Sequence, residues 1–179
     1  IKYQVIRNFG PSILKVKIPD EIVKKLNDYI DNIIEDRKKS SKLDHGNKLV
    51  GDVTQEFLLE QDFMKKIGWS EFLASCVARW VLLEMEQKIT KFNLIGSWVV
   101  RQFENEYNPV HWHGGHISGA GFLKVPDSLG THKQNKPSKK YEGGNLQLIH
   151  GSRMFLSNST FNIIPKVGDF YFFPNYLMH

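Results

Sequence analysis

The sequence predicts an α+β fold, with helices packed against one sheet of a β-sandwich or jelly roll. Two observations carry this expectation. Apolar residues recur at helical spacing through residues 20–91, and after Asn93 the chain changes to short β-rich runs punctuated by Gly and Pro. A chain of 179 residues suits a single domain with one core. Residues 1–93 then read as a helical support region and residues 94–179 as the jelly-roll core.

The first helix is expected to open at Pro19-Asp20, with Asp20 as its cap, and to run to about Lys38. Ile22, Val23, Leu26, Ile30, Ile33 and Ile34 give it one apolar face. A polar interval holding Gly46 and Gly51 follows, then a short helical stretch near Gln55 to Ile67. Ser70 is placed to cap a longer helix reaching about Lys91, on which Phe72, Leu73, Cys76, Val77, Trp80 and Leu83 share a face. On that stripe Cys76 is a packing residue, not a nucleophile. The expected strands are 96–107, 117–125, 145–150, 160–164 and 169–173. Leu146 and Leu148 alternate with Gln147, Pro165-Lys166-Val167-Gly168 reads as a turn, and Pro174 closes the last strand. Thr131 to Lys140 is too polar for a strand and is expected to be a loop.

Composition excludes several function classes. Apolar residues make up 41% and charged residues 24%, and no apolar run approaches the length of a membrane span. One cysteine leaves no disulfide framework and no cysteine metal knuckle. Nothing resembling a signal peptide precedes the sequon Asn158-Ser159-Thr160, so a cytoplasmic protein is expected. The net charge of +5 is moderate. The basic stretches Arg37 to Lys42 and Lys133 to Lys140 carry no interleaved aromatic residues, which argues for solvated loops and against a nucleic-acid platform. The pattern leaves the oligomeric state open.

Three of the seven histidines fall within six positions of "HWHGGHISGAG", residues 111–121. If Arg101 to His113 runs as an extended strand, residues two apart face one side, about 6.6 Å from each other, and His111 and His113 can converge on one ion. Gly114-Gly115 then allows a sharp turn that frees His116 from the alternation. A third ligand must come from elsewhere, and His150 and His179 are the candidates. Three nitrogen ligands with open positions suit a catalytic metal, and imidazole accepts Fe, Zn, Cu or Ni. A lone strand histidine is ordinarily just a hydrogen-bonding side chain. The pair gains weight from the Gly-rich turn after it and from the strand-turn-strand ending "GDFYFFPNYLMH". The Gly-rich stretch lacks the Lys-Ser/Thr of a phosphate loop, and Ser118 is not in a nucleophile elbow.

"NPVHWHGGHISGAGFLKVP", "YEGGNLQL" and "IPKVGDFYFFPNYLMH", in that order, resemble the core of the iron(II)- and 2-oxoglutarate-dependent oxygenases, in particular their prolyl-hydroxylase-like branch from bacteria and phages. The resemblance covers about residues 96–179. It implies a double-stranded β-helix, a jelly roll supported by N-terminal helices. It also implies bound Fe(II), 2-oxoglutarate as cosubstrate, and O2-dependent hydroxylation of a C–H bond in a peptide or small-molecule substrate. By position, His111 matches the first iron ligand and His179 the distal one, while His113 stands where the family has an acid. Either His113 itself ligates, or a carboxylate comes from outside the motif, or water fills the position; the first is favoured. Three neutral imidazoles would leave the ion one charge more positive than the usual two His and one carboxylate. The family anchors 2-oxoglutarate with an Arg or Lys beyond the last ligand, so a natural chain longer than this one is expected. Among residues present, Arg101, Lys124, Tyr107 and Asn108 are the candidates to contact the cosubstrate, and the Thr131 to Lys140 loop is the candidate lid. Two other readings remain: a cupin-like three-His dioxygenase or isomerase without 2-oxoglutarate, whose usual downstream Glu is absent, and a metal-free jelly-roll binding module.

Overall fold

A computed structural model of the chain describes residues 1–7, 10–131 and 142–179. It is a mixed α/β structure built on antiparallel sheets. The strands are β1 (Tyr3–Arg7), β2 (Ser12–Lys17), β3 (Gln55–Leu58), β4 (Trp98–Arg101), β5 (Ile117–Gly121), β6 (Leu146–Ile149), β7 (Thr160–Ile163) and β8 (Asp169–Pro174). The helices are α1 (Asp20–Glu35), α2 (Arg37–Leu43), α3 (Gln61–Lys66) and α4 (Trp69–Met85), with a 3-10 turn at Gly46–Lys48. The largest sheet has the order β1-β2-β8-β5, and β3-β4 and β6-β7 form two-stranded sheets.

The strand β8 organises the core. Its residues Asp169 to Phe173 are all buried, because both of its faces are covered. Period-two alternation sends Phe170 and Phe172, with Leu14 and Val16 of β2, into one cluster shared with Leu26, Ile33, Phe72, Cys76 and Trp80 of the helices. The opposite face sends Tyr171 and Phe173, with Ile13, against Leu148, Ile163 and Leu177. The sheet is thus a middle layer, with helices on one side and the β6-β7 pair on the other. Gly119 and Gly121 of β5 make room for one ring. A Cβ at either would lie 2.5 or 2.4 Å from atoms of Phe170, so close packing, not phosphate binding, accounts for these glycines.

Several expected elements differ in detail, each for a local reason. The hairpin β1-β2 lies in the stretch assigned to helical support, and β2 pairs with β8 across the whole chain. Helix one starts at Asp20 with Pro19 as its cap residue, and it breaks at Asp36. The Asp36 carboxylate accepts hydrogen bonds from the amides of Lys38 and Lys39 and so starts α2. The stretch from Gln55 to Ile67 divides into β3 and α3. Helix α4 is entered from Gly68 at φ 81°, not capped by Ser70, and it ends at Met85 before the left-handed Glu86. The expected strand 96–107 stops at Arg101. Beyond it the Glu106 carboxylate accepts from the Phe103 and Thr54 amides and closes a turn through Asn105 at φ 65°. No helix among the described residues is long and apolar enough to cross a membrane. The expected loop at Thr131 to Lys140 lies, apart from Thr131, outside the described residues.

Cys76 is fully buried in the helical cluster, and burial pushes its thiol up to about 11. The native protein is therefore expected not to react with an aromatic disulfide reagent at pH 8, and to release one equivalent of thiolate only in denaturant. Rapid labelling of the native protein would show the α4 packing to be wrong.

Candidate metal centre

The two chain ends of the candidate motif meet through the backbone. The His111 amide donates to the His179 carbonyl at 3.0 Å, and the His179 amide returns a bond to the His111 carbonyl at 3.1 Å. This reciprocal pair is the hydrogen-bonded antiparallel arrangement, although neither residue lies in a named strand. On the other side, the Ile149 amide at the end of β6 donates to the Met178 carbonyl at 2.8 Å. The terminal segment after β8 is thereby held between residue 111 and β6. Pro174 ends the strand, a tight turn brings the Leu177 amide back to the Pro174 carbonyl, and Leu177 is fully buried as an anchor. The Asn175 side chain reaches across to the His113 carbonyl at 3.1 Å.

Three imidazoles converge as a result. The ring centroids of His111 and His113 are 4.8 Å apart, those of His111 and His179 4.4 Å, and those of His113 and His179 5.0 Å. One nitrogen from each lies within 4.8 Å of the others, a grouping that could hold a metal ion. The rings are fixed from behind. Nδ1 of His111 is 2.8 Å from the Pro109 carbonyl and Nδ1 of His179 is 3.1 Å from the Leu177 carbonyl. A carbonyl only accepts, so both Nδ1 atoms carry the proton and both Nε2 atoms present a lone pair. This is the outer-shell arrangement that metal-binding histidines use. Phe173 packs edge-on against His179 with centroids 4.9 Å apart, and Trp98 does the same to His113 at 5.4 Å.

Burial disfavours protonation of two of the rings. Burial holds His179 down to about 4, with the Leu177 carbonyl opposing and His111 and His113 adding to the effect. Burial, then His111, lowers His113 as well. Both rings are neutral at pH 7, as ligands must be. The Nε2 atoms of His113 and His179 are 3.2 Å apart, so a proton or a cation must lie between them. His113 and His179 would hold one ion between them through these atoms. The donor set therefore fits a divalent metal that accepts imidazole.

The other expected site residues fall in different places. His116 is outside the cluster and offers its carbonyl to the Asn175 amide; His150 is also outside, with its ring 6.2 Å from that of Tyr176. Lys124 makes an ion pair with Asp31 of α1 at 2.9 Å. Arg101 donates to the Gln55 side chain and lies 5.2 Å from the Phe103 ring. Tyr107 is exposed, its backbone bridged to Asp52. Asn108 lines a groove of about 120 Å³ beside the histidines, together with Lys48, Leu49, Val50, Glu56, Trp98, His111, Trp112 and His113. Gly51 makes room for it, since a Cβ there would lie 2.3 Å from the Asn108 Oδ1.

Sequence reasoning passed over Glu56. It is 2% exposed, and neither carboxylate oxygen has a hydrogen-bond partner. Burial, then Asp44 and Glu106, push its carboxyl up. Because its folded value lies above its unfolded one, the native state is relatively favoured below the unfolded value, near pH 4.3, and loses that advantage as pH rises. Glu56→Gln is therefore expected to stabilise the protein at pH 8 by about 1 kcal/mol and to make almost no difference at pH 4, read from urea midpoints. A destabilised variant at pH 8 would contradict the unpartnered carboxylate.

Three imidazoles that converge beside a groove define a candidate metal centre. Residues 96–179, which hold all three histidines, match the family model described as "Putative 2OG-Fe(II) oxygenase". No curated protein and no solved structure matches the chain.

Proposed function

We propose that this chain is a non-haem Fe(II), 2-oxoglutarate-dependent oxygenase that hydroxylates a C–H bond of a peptide or small-molecule substrate, with His111, His113 and His179 as its iron ligands. The single observation that carries the reading is the convergence of these three rings, one nitrogen from each within 4.8 Å of the others, inside the segment that matches the oxygenase family. In this reading β5 to β8 belong to a jelly-roll core supported by the N-terminal helices within one domain, and His113 takes the place of the family's acid. Bound iron would supply O2 activation coupled to decarboxylation of 2-oxoglutarate.

The protein's own residues position and shield. The Pro109 and Leu177 carbonyls accept from Nδ1 of His111 and His179, which orients both rings and leaves Nε2 as the atom that would bind the ion. Phe173 and Trp98 pack on the rings and keep them from rotating. Among the four residues considered for the cosubstrate, Asn108 is supported by its place in the groove. Arg101 and Lys124 are engaged with Gln55 and Asp31.

Anaerobic titration of the protein with Fe(II) and 2-oxoglutarate tests the proposal. The expected result is a visible metal-to-ligand absorption band that needs both additions, followed on exposure to air by one succinate per 2-oxoglutarate consumed. Metal binding without that band and without succinate would favour the cupin-like reading, to which a three-imidazole, carboxylate-free donor set also belongs. No binding of either addition would defeat both.

A further inference from the structure

Two carboxylates are buried among the described residues, Glu56 and Asp169. Asp169 is answered by its own chain, with the Lys15 ammonium at 2.9 Å and Lys17 at 3.4 Å. Glu56 has no such partner on either oxygen. Fold stability does not explain this, since an uncompensated buried acid is a cost that a neutral side chain would avoid. Its position is imposed by β3. Phe57 turns into the helical core, so its neighbour Glu56 turns to the other face, the one shared with Trp98 of β4 and lining the groove.

The groove has the composition of a receptor for a cation. Trp98 and Trp112 supply aromatic rings to its lining, Leu49 and Val50 supply apolar side chains, and Glu56 is the carboxylate among its lining residues. Asp44 and Glu106 add negative potential at Glu56. Lys48 also lines the groove, but it is exposed. About 120 Å³ is enough for the tip of a side chain. His111 and His113 form another part of the lining, so a group seated on Glu56 would lie beside the metal centre.

Building on the oxygenase reading above, we propose that Glu56 is a specificity residue that receives the cationic group of the substrate, an ammonium or guanidinium, and so presents the adjoining carbon chain to the iron. The carboxylate then gains the charge-assisted hydrogen bonds that the protein withholds from it, and the aliphatic stem lies against Trp98 and Leu49.

Calorimetric titration of the full chain with N-acetyl-lysine N-methylamide, its norleucine isostere and free n-butylamine tests this, with and without Co(II). The lysine derivative is expected to bind about tenfold or more tightly than the uncharged isostere, and Glu56→Gln is expected to erase that preference while the thermal midpoint does not fall. Equal binding of butylamine and the lysine derivative would assign recognition to the cationic tip of a free amine; tighter binding of the lysine derivative would assign it to a peptide. No preference for the charged probe, or a preference that survives Glu56→Gln, overturns the proposal. So does a Glu56→Gln protein whose Co(II) affinity falls as far as its probe affinity, because Glu56 would then serve the metal. Failure of the wild type to bind Co(II), with the charge preference intact, would remove the oxygenase reading and leave the cation site standing.

Discussion

His179→Ala protein is expected to bind Co(II) at least about a hundredfold more weakly than the wild type while remaining folded. Changes to outer-shell partners alone typically cost metal sites about 10–100-fold, so loss of a ligand should cost no less. The backbone pair between residues 111 and 179 uses only main-chain atoms, and alanine keeps it. The variant removes one ring from a group of three, with its contacts to the Leu177 carbonyl, His113 and Phe173, and leaves the backbone in place. Titration followed by the visible spectrum of the bound Co(II) reads the affinity, and circular dichroism reads the fold. His150→Ala and His116→Ala, outside the cluster, should leave the affinity within about twofold, small beside the changes expected of ligands. An unchanged Co(II) affinity in His179→Ala would refute the three-imidazole centre.

The largest loss of stability is expected from Phe173→Ala, about 3–5 kcal/mol in urea unfolding. Phe173 is fully buried on the central strand β8, among Ile13, Leu148, Ile163, Tyr171 and Leu177. β8 is hydrogen-bonded to β2 on one side and β5 on the other, so the cavity cannot close by moving an edge strand. The same ring supports His179, so Co(II) affinity should fall with stability even though no ligand is altered. A loss below about 1 kcal/mol would mean that the β6-β7 side of the sheet packs differently.

The two variants separate ligation from support. His179→Ala removes a donor and spares the scaffold, whereas Phe173→Ala weakens the scaffold and leaves every donor in place. If both behave as expected, the geometry of the centre depends on the strand beneath it as much as on the histidines.

Local chemistry that repeats with a period was legible in the sequence. The helix stripe of α1 and α4, the alternation of Leu146 and Leu148 around Gln147, and the Pro165 to Gly168 turn appear where periodicity and turn residues place them, except that Leu83, expected on the apolar face of α4, is 45% exposed near the end of that helix. The histidines of residues 111–116 were legible as a local cluster, but the residues alone left His150 and His179 as alternative partners, and it was the family resemblance that pointed to His179. The hairpin β1-β2 was not legible. Its strands are short, and β2 takes its place from register with β8, more than 150 positions away. Glu56 was hidden for the same reason. In "TQEFLLEQ" nothing distinguishes it from a surface glutamate, and only the pairing of β3 with β4 shows which face is enclosed.

The sequence by itself determined which residues could form helices, which could form strands, and which side chains could donate to a metal. Those are properties of a residue and its near neighbours. The tertiary structure alone decided that residue 179 pairs with residue 111, that Lys124 and Arg101 are engaged elsewhere, and that one glutamate is buried without a partner. Each of these depends on contacts between segments far apart along the chain. Such contacts form only when the whole apolar pattern is buried at once, and no local window contains that information.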